Sequence, residues 1–321
     1  MNQLKPISQL YWERRGKVSN KWTLYLHEYD RLFVPYRDRP ITLLEFGVQN
    51  GGSLEIWAEA FPNAICLIGC DINPDCGKLI YDDKRITIMI CDATMEDCKR
   101  EILSKASTFD IIIDDGSHRS GDIVRSFWRY FTCLNESGVY VIEDMHCSYW
   151  QEFDGGLYHP YSSMAFFKCL TDIVNHEHWG IDKSRNDLME RFEEHWNIRF
   201  ELECLETIHS IEFINSLCVI RKCHPQENIL GSRVIAGLAD NVCGLHLLHG
   251  IKYDEPEQHG NDWSNRGASL EEESVRLIAV LTDRDTQIAS LSQAVAERDG
   301  QIVGLNQAVA ERDEQLKESS E

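Results

Sequence analysis

The chain has 321 residues and a formal charge of −21, from 32 Lys and Arg against 53 Asp and Glu. Hydrophobic residues make up 43%, enough for a sizeable core, while the acid excess argues against partners that display phosphate, whether a nucleic-acid backbone or an anionic membrane surface. No run of about 18 apolar residues marks a transmembrane helix, and the first 20 residues, MNQLKPISQLYWERRGKVSN, lack the apolar stretch of a signal peptide, so the expectation is a cytoplasmic protein.

The chain divides into four stretches. Residues 1–40 are polar and aromatic, and Leu24, Tyr25, Tyr29, Leu32 and Phe33 recur at helical spacing, which predicts an N-terminal helical cap or lid. Residues 41–224 carry short apolar runs at Ile41–Phe46, Ala64–Cys70, Ile86–Cys91, Ile111–Ile113 and Gly138–Ile142. Between them lie segments of helical periodicity, such as Ser53–Ala60 and Gly121–Phe131. Near-continuous apolar strands alternating with helices predict an α/β fold, a parallel sheet covered on both faces. Two later runs, Ile208–Phe213 and Ser216–Arg221, predict an antiparallel hairpin. Together these give the outline of a Rossmann-like class I methyltransferase sheet. Residues 225–267, with Pro225, Pro256 and Gly260, predict a loosely structured connector. The twelve cysteines form no C-x-x-C pair and fall in apolar runs, as at Cys66, Cys70, Cys91 and Cys218. They are expected as reduced, buried thiols, with no support for a zinc site.

The strand ends carry the chemistry. After the first strand comes Glu45-Phe46-Gly47-Val48-Gln49-Asn50-Gly51-Gly52-Ser53. Glycines here let the backbone turn sharply and approach a ligand, and open α/β sheets bind ligands beyond the carboxyl ends of their strands. The spacing is neither G-x-G-x-x-G nor that of a P-loop. The second strand ends at Asp71, whose carboxylate can accept ribose hydroxyls, and Asp92 closes the third. The fourth runs into Asp114-Asp115-Gly116-Ser117-His118, and the fifth into Glu143-Asp144-Met145-His146 with Tyr149-Trp150 beyond. Acidic clusters on neighbouring strand ends crowd negative charge that a cation can neutralise, and all-oxygen ligation favours Mg²⁺ or Mn²⁺. His118, in the same loop, can accept a proton near neutrality.

With these residues in view, the segment of roughly residues 19–223 resembles the metal-dependent sugar O-methyltransferases typified by macrocin and mycinamicin O-methyltransferases, a scaffold shared with cephalosporin hydroxylase-like proteins. The motifs are LLEFGVQNGGSLEIW, IDDGSH and VIEDMHCSYW. The resemblance implies S-adenosylmethionine as methyl donor, bound at Glu45, Gly47, Gln49, Gly51, Ser53, Asp71 and Asp92. It implies Asp115, Glu143 and Asp144 as ligands of the divalent cation, His118 as general base, and Tyr149, Trp150 and His146 beside a sugar or glycan acceptor. Family members commonly carry a D-K-G-type segment ahead of the first strand; here it reads Asn20-Lys21-Trp22, so Lys21 is retained while both neighbours differ.

Residues 268–321 have a period of 14. Arg-Asp recurs at Arg284-Asp285, Arg298-Asp299 and Arg312-Asp313, and QIASLSQAVAERD and QIVGLNQAVAERD are near copies. Leu281, Ile288, Val295, Ile302, Val309 and Leu316 form one heptad set, and Leu270, Leu277, Leu291 and Leu305 the other. This predicts a coiled coil and a homo-oligomer, leaning towards a parallel dimer, with trimers open. The stretch holds 12 acidic and 5 basic residues, so part of the negative charge belongs to a solvated helix surface. Similar tails occur on enzymes that modify bacterial surface polysaccharides, and that likeness points to an O-antigen-type glycan, beside a glycosylated natural product, as acceptor. Two other readings stand at this point. One is an Fe(II) hydroxylase on the same scaffold, with His146 near Asp144 as part of a facial triad. The other is a non-catalytic scaffold recruited through its coiled coil.

Overall fold

The computed structural model describes residues 4–200, 202–252, 254–265 and 270–318. Two compact units are present, Met1–Arg266 and Gly267–Glu321. In the first, five strands run in parallel: β1 (Thr42–Phe46), β2 (Cys66–Asp71), β3 (Ile86–Ile90), β4 (Phe109–Asp114) and β5 (Leu134–Ile142). The hairpin β6 (Ile208–Ile214) and β7 (Leu217–Lys222) completes a seven-stranded sheet of order β3-β2-β1-β4-β5-β7-β6, with β7 antiparallel to both β5 and β6. This is the Rossmann-like arrangement expected from the strand rhythm. Its chain order reverses between β1 and β4, the switch point where open α/β sheets leave a crevice.

Helices cover both faces: α1 (Ile7–Glu13), α2 (Thr23–Leu32) and α3 (Gly52–Ala60) on one, and α4 (Glu96–Leu103), α5 (Ser120–Phe131), α6 (Ser163–Val174) and α7 (Arg185–Trp196) on the other. Strand side chains alternate between the faces. Leu43, Ile111, Ile113, Val139 and Val141 join Tyr29, Phe33 and Trp57 in one core, while Leu44, Ile112, Tyr140 and Ile142 join Phe127, Phe131 and Phe166 in the other. That two-sided demand is why the strands read as continuous apolar runs. The residues predicted as an N-terminal cap are built into the first of these cores, since Ile7, Leu10, Tyr25, Tyr29, Leu32 and Phe33 are all buried there.

Two details, the start of β5 and the state of the cysteines, differ from the sequence expectation. Strand β5 starts at Leu134, ahead of the predicted Gly138, because Leu134 pairs with Phe109 before a register shift. Residues 225–252 contain little regular structure beyond short 3₁₀ turns and a bridge between Ser232 and Lys252. The cysteines are not uniformly reduced and buried: Cys91 and Cys98 form a disulfide, Cys66 and Cys223 are half-buried and Cys243 is exposed. The turn from β3 into α4 brings the Cys91 and Cys98 Cα atoms to 5.5 Å, within bridging reach, although the spacing is not C-x-x-C.

The second unit is one long helix, α8 (Leu270–Glu318). Leu281, Ile288, Leu291, Val295, Ile302, Leu305 and Val309 are exposed along it. Residues 268–269 and 319–321 of the predicted coiled-coil stretch, and the side chains of Leu270 and Leu316, lie outside the described residues. Among the described residues, no helix is long and apolar enough to cross a membrane.

Candidate active site

The ends of β1, β4 and β5 lie side by side, and their loops are tied together by backbone. Gly47 N–H donates to Cys70 O at 2.9 Å, Asp115 N–H to Phe46 O at 3.0 Å, and Glu143 N–H to Asp114 O at 2.9 Å. Gly47 has φ +86°, and a Cβ there would stand 2.0 Å from the Asp115 carbonyl oxygen. Glycine at this position is therefore what lets the first loop lie against the fourth-strand loop. Three non-glycine residues also adopt positive φ at this rim: Gln49 (48°), His118 (58°) and Asp144 (53°). Such strained backbone concentrates where a side chain must be aimed.

The sequence-derived donor-site residues lie at the ends of β1, β2 and β3. Asp71 accepts N–H bonds from Val48 (2.8 Å) and Gln49 (3.1 Å) on Oδ2 and from Asn73 (2.9 Å) on Oδ1. Partial burial opposes ionisation, but these backbone donors outweigh it and lower the carboxyl below its ordinary value. A carboxylate has about four acceptor sites, so Asp71 first organises the glycine loop and keeps limited capacity for a further donor. Asp92 Oδ1 is taken by Thr94 N–H (2.9 Å) and its hydroxyl (2.7 Å). Glu45 is wholly buried and accepts from the Ser53 hydroxyl at 2.7 Å. Burial raises its carboxyl, against the lowering effects of Lys21 and Ser53.

The acidic centre is divided. Asp115, His118 and Asp144 each offer a ligand atom within 4.8 Å of the others. His118 Nε2 stands 3.7 Å from Asp144 Oδ2 and 4.0 Å from Asp115 Oδ1. Glu143 stands outside that group: its Oε1 accepts from Lys21 Nζ at 2.6 Å and from the Tyr29 hydroxyl. Burial and the neighbouring Asp115 charge raise the Glu143 carboxyl, which Lys21 partly counters. Asp114, the other half of the Asp-Asp pair, turns into the core, where the Ser126 hydroxyl donates to it and burial raises it to about 6.

Sequence reasoning did not anticipate how far residues 14–29 enter this centre. Glu55, in the first turn of α3, binds Arg14 and Lys17, and Gly52 N–H donates to Val18 O at 3.1 Å. That anchorage delivers Lys21, whose side chain is 2% exposed, to Asp115 Oδ2 at 2.5 Å. Burial alone would lower its pKa, but the Glu143, Asp115 and Glu45 charges raise it well above the ordinary lysine value. Trp22 Nε1–H donates to Asp144 Oδ1 at 2.9 Å, and the Tyr25 hydroxyl donates to the same oxygen at 2.8 Å while accepting from Asp144 N–H at 3.0 Å. Ser216, in the β6–β7 turn at φ 68°, meets both Tyr25 and His146. The only sequence signals for these contacts were a lysine in a motif with altered neighbours and a polar hairpin turn.

His146 lies 3.9 Å from Asp144 Oδ1 but spends its Nδ1 on the Ser216 hydroxyl, and it is not in the ligand group formed by His118. The two imidazoles therefore address different oxygens of Asp144, unlike a facial triad around one ion. An aromatic row borders the centre. Trp22 meets His146 edge-on (6.1 Å), His146 meets Trp150 (5.0 Å), Trp150 meets Phe153 (6.0 Å), and Phe153 lies 6.4 Å from His118. Trp150 and Tyr149 are both exposed; Phe153 was not foreseen.

Compared with known families and proteins, the chain matches no family model. It is 34% identical over 168 residues to the 8-demethyl-8-alpha-L-rhamnosyl tetracenomycin-C 2′-O-methyltransferase of Streptomyces olivaceus, covering 49% of this chain and 43% of that protein. It is 33% identical over 169 residues to the demethylmacrocin O-methyltransferase of Streptomyces fradiae, covering 49% and 42%, and 34% identical over 169 residues to the mycinamicin VI 2″-O-methyltransferase of Micromonospora griseorubida, covering 49% and 41%. The chain thus spans less than half the length of these curated relatives. Among solved structures it is similar to the MycE methyltransferase of the mycinamycin biosynthetic pathway, in complex with Mg, S-adenosylhomocysteine (SAH) and mycinamycin VI. That match has a TM-score of 0.54 and 25% identity over 70% of this chain and 55% of the other. Over about half of its length this chain is therefore similar to sugar O-methyltransferases, and its α/β unit shares the fold of a methyltransferase solved with Mg and SAH.

Proposed function

We propose that the chain is an S-adenosylmethionine-dependent O-methyltransferase that acts on a sugar hydroxyl with the help of Mg²⁺ or Mn²⁺. The observation that carries the reading is the placement of His118 Nε2 between Asp115 and Asp144 at two adjoining strand ends, beside the glycine loop. The methyl donor takes the crevice bordered by Gly47, Gln49, Gly51 and Ser53, with Asp71 facing its ribose and Asp92 its adenine. Glu45 supplies buried negative charge near the sulfonium end. Asp115 and Asp144, with Glu143 behind them, are the carboxylates that suit a hard divalent cation. When bound, the cation supplies Lewis-acid help to ionisation of an acceptor hydroxyl.

His118 takes the hydroxyl proton on Nε2. The acceptor oxygen then bonds to the methyl carbon as the carbon–sulfur bond breaks, giving a methyl ether and S-adenosylhomocysteine. His118 returns its proton to solvent. Tyr149, Trp150 and His146 border the acceptor side and hold the sugar ring in line with the methyl group, a positioning contribution that can be large. The relatives' names specify macrolide and tetracenomycin acceptors. We place this chain's acceptor among surface glycans of the O-antigen kind on the strength of its repeat-bearing tail, with the work done in the cytoplasm. Methyl-labelled S-adenosylmethionine, incubated with a panel of rhamnosyl and hexosyl glycans, tests this. Label found at a sugar oxygen by NMR supports the reading; label found only on protein or small carboxylates opposes it.

The tail fits self-association. Helix α8 extends about 74 Å at 1.5 Å per residue, and a lone helix with an apolar seam is marginal in water. Ile288, Val295 and Ile302 lie on one seam and are more than half exposed in the single chain. Replacing Ile288 and Val295 together by Asp in the full chain is expected to weaken association at least about a hundredfold, since each charge would be desolvated at a core position. Sedimentation equilibrium reads this directly, and an unchanged assembly would place the subunit contact elsewhere.

A further inference from the structure

We propose that Lys21 is a built-in counter-cation: its ammonium neutralises Asp115 and Glu143, carboxylates on which a divalent cation at the Asp115–Asp144 centre would draw, and releases them by moving towards Glu45. The inference rests on the metal-dependent reading above and concerns how this chain's own lysine shares carboxylates with that cation.

Three observations lead there. Lys21 Nζ lies 2.5 Å from Asp115 Oδ2 and 2.6 Å from Glu143 Oε1, two of the three carboxylates matched to cation ligands. It lies 3.8 Å from Glu45 Oε1, too far for a hydrogen bond. That Glu45 oxygen is fully buried and makes no hydrogen bond of ordinary geometry, which is costly for a carboxylate; the nearby Trp57 indole N–H, itself without a partner at ordinary geometry, favours its charged form. An ammonium has three donors on a flexible four-carbon stem, so Nζ can reach Glu45 Oε1 with a small displacement and satisfy it. The backbone need not follow, because Glu55 and Gly52 hold residues 14–18. Trp22 occupies Asp144 Oδ1 from the adjoining position. The Lys21-Trp22 pair thereby touches all three matched carboxylates, and only Lys21 brings a charge that competes with a cation.

A unit positive charge a few ångströms from a divalent ion in a partly buried site opposes its binding. Lys21→Met should therefore bind Mn²⁺ more tightly than the unaltered protein, by about tenfold or more, whereas a lysine that only props up the ligands would give weaker binding on removal. Glu45→Gln takes away the charged refuge for the ammonium and should weaken Mn²⁺ binding about threefold or more. The measurement is Mn²⁺ titration of the full chain followed by electron paramagnetic resonance, without acceptor or methyl donor, with thermal unfolding as the check on folding. Equal or weaker Mn²⁺ affinity in folded Lys21→Met would overturn the proposal. Should that variant not fold, Glu45→Gln decides, and an affinity equal to or tighter than that of the unaltered protein overturns it. Absence of Mn²⁺ binding in every form would overturn the metal-dependent reading itself, and the proposal with it.

Discussion

Replacing His118 is expected to lower methyl transfer by about 10²–10⁴-fold, the usual contribution of a positioned general base, while leaving SAH affinity within about threefold. The two effects are expected to separate because His118 belongs to the fourth-strand loop, whereas the donor crevice proposed above lies at the loops after β1 and β2 around Asp71. His118→Asn is the more informative variant. Residue 118 has φ 58°, a conformation that Asn adopts more readily than Ala, so loss of the base can be told apart from loop distortion. Turnover with labelled donor and calorimetry with SAH check both halves. A variant that turns over normally would remove His118 from the chemistry, and one that no longer binds SAH would assign it to the donor site.

The second large effect is expected at Asp144. Its carboxylate faces His118 with one oxygen and takes Trp22 and Tyr25 on the other. Asp144→Asn keeps the shape, the acceptor oxygen and the left-handed backbone (φ 53°) and removes the charge. Turnover should fall about a hundredfold or more, and Mn²⁺ affinity about tenfold, with little change in thermal stability. EDTA should abolish turnover of the unaltered protein and added Mg²⁺ restore it. An enzyme indifferent to EDTA would take the cation out of the mechanism, whatever the variant does.

How much of this was legible in the sequence follows from the range of each contact. The strands announce themselves because Leu43-Leu44 and Ile111-Ile112-Ile113 must be apolar on both faces, and the loop residues Asp71, Asp115, His118, Glu143 and Asp144 come directly after such runs. The left-handed turns at Gln49, His118 and Asp144 have no signature among non-glycine residues. The Lys21 contacts span 94 and 122 residues of chain, and Trp22 reaches Asp144 across 122. Nothing local marks them except a lysine amid residues that depart from the family motif. Of Asp114 and Asp115, the family motif points to Asp115, and in the fold Asp114 still belongs to β4 and points to Ser126 in the core. The Cys91–Cys98 bridge was missed because a strand end and a helix turn together create a proximity that linear spacing does not suggest.

The central claim is that the crevice at the β1 and β2 ends takes S-adenosylmethionine and its demethylated product. Calorimetric titration of the full chain with SAH tests it without knowledge of the acceptor. The expected result is one molecule bound per chain with micromolar affinity, weakened about tenfold or more in Asp71→Ala, where the glycine loop loses its two backbone anchors at Val48 and Gln49, the Asn73 turn loses its own, and the ribose loses its carboxylate. No binding of either SAH or S-adenosylmethionine at millimolar concentration by the folded protein would contradict the account.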